Sequence, residues 1–165
     1  MLDAANIDLK SFNENTYLRL TGGKLQPVLD SLIVYKELGI WLEITYLVVP
    51  AWTDNLDEIR KMCRWLNDKG FGRVPIHFSR FYPTYKLEQL PPTPVEILNK
   101  AVQIAKEEGL TYCYTGNVPG NELSDTFCPD CRKMLISRQG YRITSFNLKN
   151  GKCPGCGRLI DGVWN

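Results

Sequence analysis

The sequence has one histidine among its 165 residues, His77. With so little histidine, no serine–histidine–acid set and no mixed cysteine–histidine metal site can be assembled. No glycine-rich phosphate loop is present either. No apolar run reaches the ~18 residues that a membrane-spanning helix needs, so no membrane partner is expected. The opening MLDAANIDLK has neither a basic region nor an apolar one, so no secretory signal is expected there. Net charge is only +2, which gives no electrostatic case for nucleic acid or a membrane surface. Repeats and low-complexity tracts are absent. A reducing, cytoplasmic setting is the expectation, in which cysteines serve as metal ligands or free thiols rather than as disulfides. What is present suits a folded chain: 44% of residues are hydrophobic and 23% charged, enough apolar material for a core.

The stretch Ile40 to Asn55, IWLEITYLVVPAWTDN, organises the rest. Ile44, Tyr46 and Val48 alternate with Glu43, Thr45, Leu47 and Val49 in a run rich in β-branched and aromatic residues, so a strand is expected. Pro50 ends it. A strand so nearly apolar on both faces belongs to a parallel sheet covered by helices. Glu43 and Thr45 share one face, and buried polar groups need partners. That face is therefore expected to look into a barrel interior or a cleft. In parallel sheets, ligands sit outside the carboxyl ends of the strands.

Before this strand, Asn6 to Lys10 reads as a short strand with Asn6, Asp8 and Lys10 on one face and Ile7 and Leu9 on the other. A polar-faced strand so close to the start suggests a fragment boundary. A loop and short helix follow over 11–23. Leu25, Val28, Leu29, Leu32 and Ile33 then mark a helix stopped by Gly39. After the central strand, Asn55 and Glu58 form a capping-box pattern for a helix ending at Gly70. Residues 73–82 read as a third strand and Pro83 to Pro92 as a loop. Thr93 is expected to cap a helix with Pro94 at its first position, ending at Gly109. Residues 110–115 read as a fourth strand. Strand and helix alternate, so the expected class is α/β with right-handed crossovers. Periodicity does not separate an open sheet from a barrel. The texture changes after Gly116, and a domain boundary is expected near residue 122, giving domains 1–122 and 123–165.

The second domain carries Cys128-Pro129-Asp130-Cys131 and Cys153-Pro154-Gly155-Cys156. Two such knuckles can place four thiolates around one ion. Hairpin signals lie between them: Leu135 and Ile136, Gln139-Gly140, then Tyr141, Arg142 and Ile143, then Asn150-Gly151. Four thiolates on a divalent ion leave a charge of about −2, which Arg132, Lys133, Lys152 and Arg158 could offset. With all positions filled by protein, the site is structural. Zinc is favoured, although a rubredoxin-like iron site uses the same knuckles. Cys63 and Cys113 read as core residues. His77 reads as a satisfied buried histidine, and Asp8–Lys10 on sequence alone as a surface pair.

NIDLKSF at 6–12, YLVVPAWTDN at 46–55, HFSRFYPTYKL at 77–87, PPTPVEIL at 91–98 and YTGNVPG at 114–120 carry a resemblance. So do CPDC, LISRQGYRI and GKCPGCGRLIDGVW in the tail. These segments resemble the radical S-adenosylmethionine (SAM) enzyme of the AmmeMemoRadiSam system, in the pyruvate formate-lyase activating-enzyme group. The resemblance implies the C-terminal half of a partial parallel β/α (TIM-like) barrel, followed by a small zinc-ribbon-like β module. It also implies a 4Fe-4S cluster and SAM as cofactors, with reductive cleavage of SAM to a 5′-deoxyadenosyl radical. The family's Cys-x-x-x-Cys-x-x-Cys cluster motif belongs to the N-terminal half and does not occur here. The chain is therefore expected to be inactive alone and to hold no catalytic residue of its own. The resemblance carries over Asn6, Asp8, Lys10, Thr45 and Leu47 as the second half of a SAM pocket, while Tyr82 stands near a position where many relatives have histidine. Partners implied are the missing N-terminal half and Memo-like or AMMECR-like proteins. The alternative is a non-enzymatic zinc-ribbon protein that binds a partner on a barrel remnant.

Overall fold

The computed structural model describes residues 2–120, 122–140 and 142–164. The chain forms two compact units, residues 1–117 and 118–165.

The first unit alternates strand and helix: β1 (Ala4–Asp8), α1 (Glu14–Thr21), α2 (Leu25–Glu37), β2 (Trp41–Val48), α3 (Leu56–Asp68), β3 (Ile76–Arg80), α4 (Val95–Glu107) and β4 (Cys113–Gly116). The four strands form one parallel sheet in chain order, β1-β2-β3-β4. Right-handed crossovers between strands laid down in sequence order put their helices on one face of the sheet. Burial along β2 agrees. Leu42, Ile44, Tyr46 and Val48 are buried, while Trp41, Glu43, Thr45 and Leu47 are only half-buried. The covered face meets the apolar sides of α3 (Ile59, Met62, Cys63, Leu66) and α4 (Leu98, Ala101, Val102, Ala105), all buried.

Local signals explain most element ends. Asn55 accepts from the backbone N–H groups of Asp57 and Glu58 and so caps α3; Glu58 turns to Lys61 instead of closing the box. Gly39, Gly70 and Gly109 take the left-handed conformation after α2, α3 and α4, with φ of 70°, 76° and 91°, which costs glycine little. Two expectations need correction. β1 ends at Asp8, so Lys10 lies beyond the strand, although Leu9 still donates to the Thr45 carbonyl at 2.9 Å. Pro94, not Thr93, is the residue flanking α4, and α4 has no side-chain cap. The Thr93 hydroxyl is used elsewhere: it donates to the Val48 carbonyl at 2.5 Å and accepts from Phe81 N–H at 3.0 Å.

In the second unit, β5 (Thr126–Phe127), β6 (Met134–Gln139) and β7 (Arg142–Phe146) form an antiparallel sheet in that order. Gly140 sits between β6 and β7 with φ of 60°; the expected hairpin residue Tyr141 lies outside the described residues. At Asn150-Gly151 both residues have positive φ, 50° and 70°, and Lys149 and Lys152 exchange backbone hydrogen bonds of 3.0 and 2.9 Å across them. That is the two-residue hairpin turn which Asn-Gly favours.

Candidate functional site

The less covered face of the parallel sheet is polar, and strand register arranges it in rows. Asn6 stands beside Glu43. Asp8, Thr45, His77 and Tyr114 follow one another across the four strands. Leu47, Ser79 and Gly116 form a further row toward the carboxyl ends. The expected pocket residues Asn6, Asp8, Thr45 and Leu47 therefore share one face. Lys10 joins them through its side chain, donating from Nζ to Asp8 Oδ2 at 2.6 Å.

The rows are tied by hydrogen bonds. Thr45 Oγ1 donates to Asn6 Oδ1 at 3.0 Å. His77 Nε2 and Glu43 Oε2 lie 3.1 Å apart, and the His77 ring stacks on Tyr114 with centroids 5.2 Å apart. His77 is thus part of the open polar face rather than the buried core, placed there by its register beside Thr45. At the last row, a Cβ on Gly116 would come within 2.6 Å of Ser79 Oγ. Only glycine leaves the serine hydroxyl this room. By contrast Cys63 and Cys113 lie in the core, where burial pushes both thiols up to about 12.

Backbone strain collects in the loops that leave the sheet's carboxyl end. Ala51 after β2, Tyr85 after β3 and Asn117 after β4 have φ of 63°, 54° and 59°. Non-glycine residues there store strain of order 1–3 kcal/mol each, and such strain clusters where ligands are held. Buried hydroxyls stiffen the same rim. Thr53 Oγ1 accepts from Val49 N–H at 2.7 Å and donates to the Leu47 carbonyl at 2.8 Å. Arg80, Ser79, Gly116 and Asn117 at this rim were not singled out by sequence reasoning. The Gly-Asn pair at the end of a strand was the available signal.

The second unit gathers Cys128, Cys131, Cys153 and Cys156. Their sulfurs all lie within 4.8 Å of one another, with Cys128–Cys156 at 3.6 Å and Cys131–Cys153 at 3.5 Å. A tetrahedron with metal–sulfur bonds of ~2.3 Å has edges of about 3.8 Å, so the spacing suits one ion. The two knuckles share one backbone pattern. Cys128 N–H donates to the Lys133 carbonyl and Arg132 N–H to the Cys128 carbonyl; Cys153 N–H donates to the Arg158 carbonyl and Gly157 N–H to the Cys153 carbonyl. Arg132 and Gly157 hold the equivalent left-handed position, with φ of 60° and 77°. Gly155 N–H points to Cys153 Sγ at 3.3 Å. Burial opposes a thiolate at Cys153, but the N–H groups of Cys156 and Gly155 together with hydrogen bonds from the Cys131 and Cys128 thiols bring the thiol down to about 6. Of the four basic residues expected to offset the thiolate charge, Arg158 is paired with Asp130, Arg132 lies 5.9 Å from the Phe127 ring centre, and the Lys133 stem passes over Gly155.

No family model matches the chain. An uncharacterised protein of Methanocaldococcus jannaschii is 43% identical over 164 residues, covering 98% of this chain and 49% of that protein. A GTP 3′,8-cyclase of Lactiplantibacillus plantarum is 26% identical over 159 residues, and one of Listeria monocytogenes 24% identical over 167; each match covers 85% of this chain and 47% of the cyclase. The crystal structure of a domain of pyruvate-formate lyase-activating enzyme from Bacteroides vulgatus matches with a TM-score of 0.58 at 14% identity, over 70% of this chain and 68% of that one. That likeness shows the fold: α/β with a four-stranded parallel sheet. The chain spans about half the length of the curated relatives it matches. The chain is thus similar in sequence to part of the GTP 3′,8-cyclases and shares its fold with a domain of pyruvate-formate lyase-activating enzyme.

Proposed function

We propose that this chain is the C-terminal part of a radical SAM enzyme of the AmmeMemoRadiSam type. In this reading the four-stranded sheet is half of a partial barrel, and the complete protein reductively cleaves SAM to a 5′-deoxyadenosyl radical. The observation that carries it is the register of the open face, which brings Asn6, Asp8 and Thr45 together with Leu47 one row on. Lys10 and Asp8 are each about half exposed and form an ion pair with each other. They suit a ligand bearing an ammonium, a carboxylate and a sulfonium: the carboxylate would take the lysine and the ammonium the aspartate, as charge-assisted bonds. Thr45 and Leu47 would form the floor.

The residues present do not fit the 4Fe-4S cluster. Four of the six cysteines are committed to one closed tetrad, and the other two are buried in the core. The cluster therefore belongs to residues outside this chain. The tetrad is proposed to hold structural zinc, with iron as the other candidate. No described helix is long and apolar enough to cross a membrane; a cytoplasmic setting and Memo-like or AMMECR-like partners are part of the proposal. The non-enzymatic alternative draws on the exposed Ile143 and Phe146 of β7, apolar side chains that a binding partner could cover.

The test is direct. Given iron, sulfide, reductant and SAM, these 165 residues should release no 5′-deoxyadenosine above a protein-free control, while a complete protein containing them should release it. Deoxyadenosine from the chain alone would overturn the placement of the cluster. None from the complete protein would favour the binding role.

A further inference from the structure

Arg80 closes β3 at the carboxyl end of the sheet. Several cations of the first unit meet carboxylates, Arg60 and Arg64 at Glu107 and Glu108, Lys61 at Glu58 and Lys10 at Asp8, while Arg19, Lys36 and Lys86 lie over aromatic rings. Arg80 has no carboxylate partner among the described residues. Its Nε donates to the Thr93 carbonyl at 2.8 Å and its Nη1 to the Tyr82 hydroxyl at 3.2 Å. The guanidinium carbon lies 5.0 Å from the Tyr82 ring centre. All of these partners are neutral, so the side chain is fixed without being neutralised.

Its supports are themselves fixed. The Tyr82 hydroxyl donates to the Asn117 carbonyl at 3.1 Å, and Asn117 Nδ2 donates to the Arg80 carbonyl at 3.2 Å. These two bonds tie the end of β3 to the residue after β4. Thr93, fully buried, joins the same loop to the end of β2. A guanidinium presents five N–H groups in a rigid fork. Those on Nη2 have no partner among the described residues.

We propose that Arg80 anchors an oxyanion, a carboxylate or phosphate group carried by a small-molecule ligand at the carboxyl end of the sheet. The planar fork matches such groups in two parallel bonds. Because Thr93, Tyr82 and Asn117 already hold the side chain, binding loses little of its rotamer entropy. A purely structural strut accounts for the Nε bond to Thr93 but leaves Nη2 without a role. The inference goes beyond the radical reading and does not rest on it, since it needs only the rim of this sheet.

The test uses the 15N-labelled chain at constant ionic strength, titrated with inorganic phosphate and separately with acetate. Saturable shifts are expected at the Arg80 Nε–H and the amides of Tyr82 and Asn117. Tighter binding of phosphate assigns a phosphate-bearing ligand, and tighter binding of acetate a carboxylate-bearing one. Arg80→Lys keeps the charge and loses the fork, so it should weaken binding at least tenfold; Tyr82→Phe, which frees Nη1, should weaken it several-fold. No saturable shift at Arg80 with either anion overturns the proposal. So do shifts that persist in Arg80→Met or that spread over Lys149 and Lys152.

Discussion

Single buried hydroxyls do much of the positioning at the sheet's carboxyl end. Thr93 is fully buried, yet its hydroxyl both donates to Val48 and accepts from Phe81. Thr93→Val keeps the shape and removes both bonds, leaving a buried carbonyl and a buried N–H without partners. Each orphaned group costs about 1–3 kcal/mol, so the urea midpoint should fall clearly, with a Tm loss of roughly 2–4 °C per kcal/mol. An unchanged midpoint would mean that water reaches the site and replaces the hydroxyl. Sequence alone reads Thr93-Pro94-Val95-Glu96 as a helix start, because local propensity sees only the next four residues. The partners that capture the hydroxyl lie at the end of β2 and just after β3, and are invisible to that window. Asp8–Lys10 shows the opposite case. The residues two apart in sequence do meet, but by side-chain reach and not by sharing a strand.

At the scale of elements, α3 and α4 are joined by a charged network. Arg60 Nη1 and Arg64 Nε donate to Glu108 at 2.8 and 3.0 Å, and Arg60 Nη2 to Glu107 at 2.8 Å. The Arg64 and then Arg60 hydrogen bonds hold the Glu108 carboxyl below the usual carboxylate range, and Arg60 and then Gln103 do so for Glu107. A depressed folded-state pKa stabilises above the ordinary glutamate value of about 4.3. That contribution is lost as pH falls through the folded-state value. The stability gap between the parent and an Arg60→Ala/Arg64→Ala variant should thus be present at pH 7 and shrink below pH ~4. Denaturant midpoints at the two pH values check this; an equal gap at both would assign the arginines' effect to packing of their stems. The elements themselves were largely legible, since β2, α3 and α4 have clear periods and glycine stops. The bounds of β3 and β4 differ from the sequence expectation, Ile76–Arg80 against 73–82 and Cys113–Gly116 against 110–115, although the Pro75 and Tyr112 carbonyls still accept from Ile44 and Ile76 N–H at 2.9 Å each. The polar face was legible on β2 through Glu43 and Thr45. Its continuation through His77 and Tyr114 was not, because register across strands is a tertiary fact.

Across the whole molecule, the two units rest on different physics. Residues 1–117 have a core of large buried side chains, among them Tyr46, Phe78, Phe71, Ile59, Met62 and Leu98. Residues 118–165 bury few apolar side chains, with Leu135, Ile136, Leu148 and Ile160 the main ones, beside Cys128 and Cys153. A unit so small seldom folds on a hydrophobic core alone and usually needs a metal or disulfides. The four thiols are free of disulfides and lie at tetrahedral spacing, so metal binding there is folding free energy. The chain purified without chelators should carry one zinc or iron per molecule by elemental analysis. Chelation, or Cys153→Ser, should collapse the dispersed amide signals of β5, β6 and β7 while those of the parallel sheet persist. Metal-free protein that keeps the β5–β7 signals would show that the small sheet stands by itself, and the cysteines would then need another role. If the parallel sheet's signals were lost on chelation too, the larger core would not be independent of the ion.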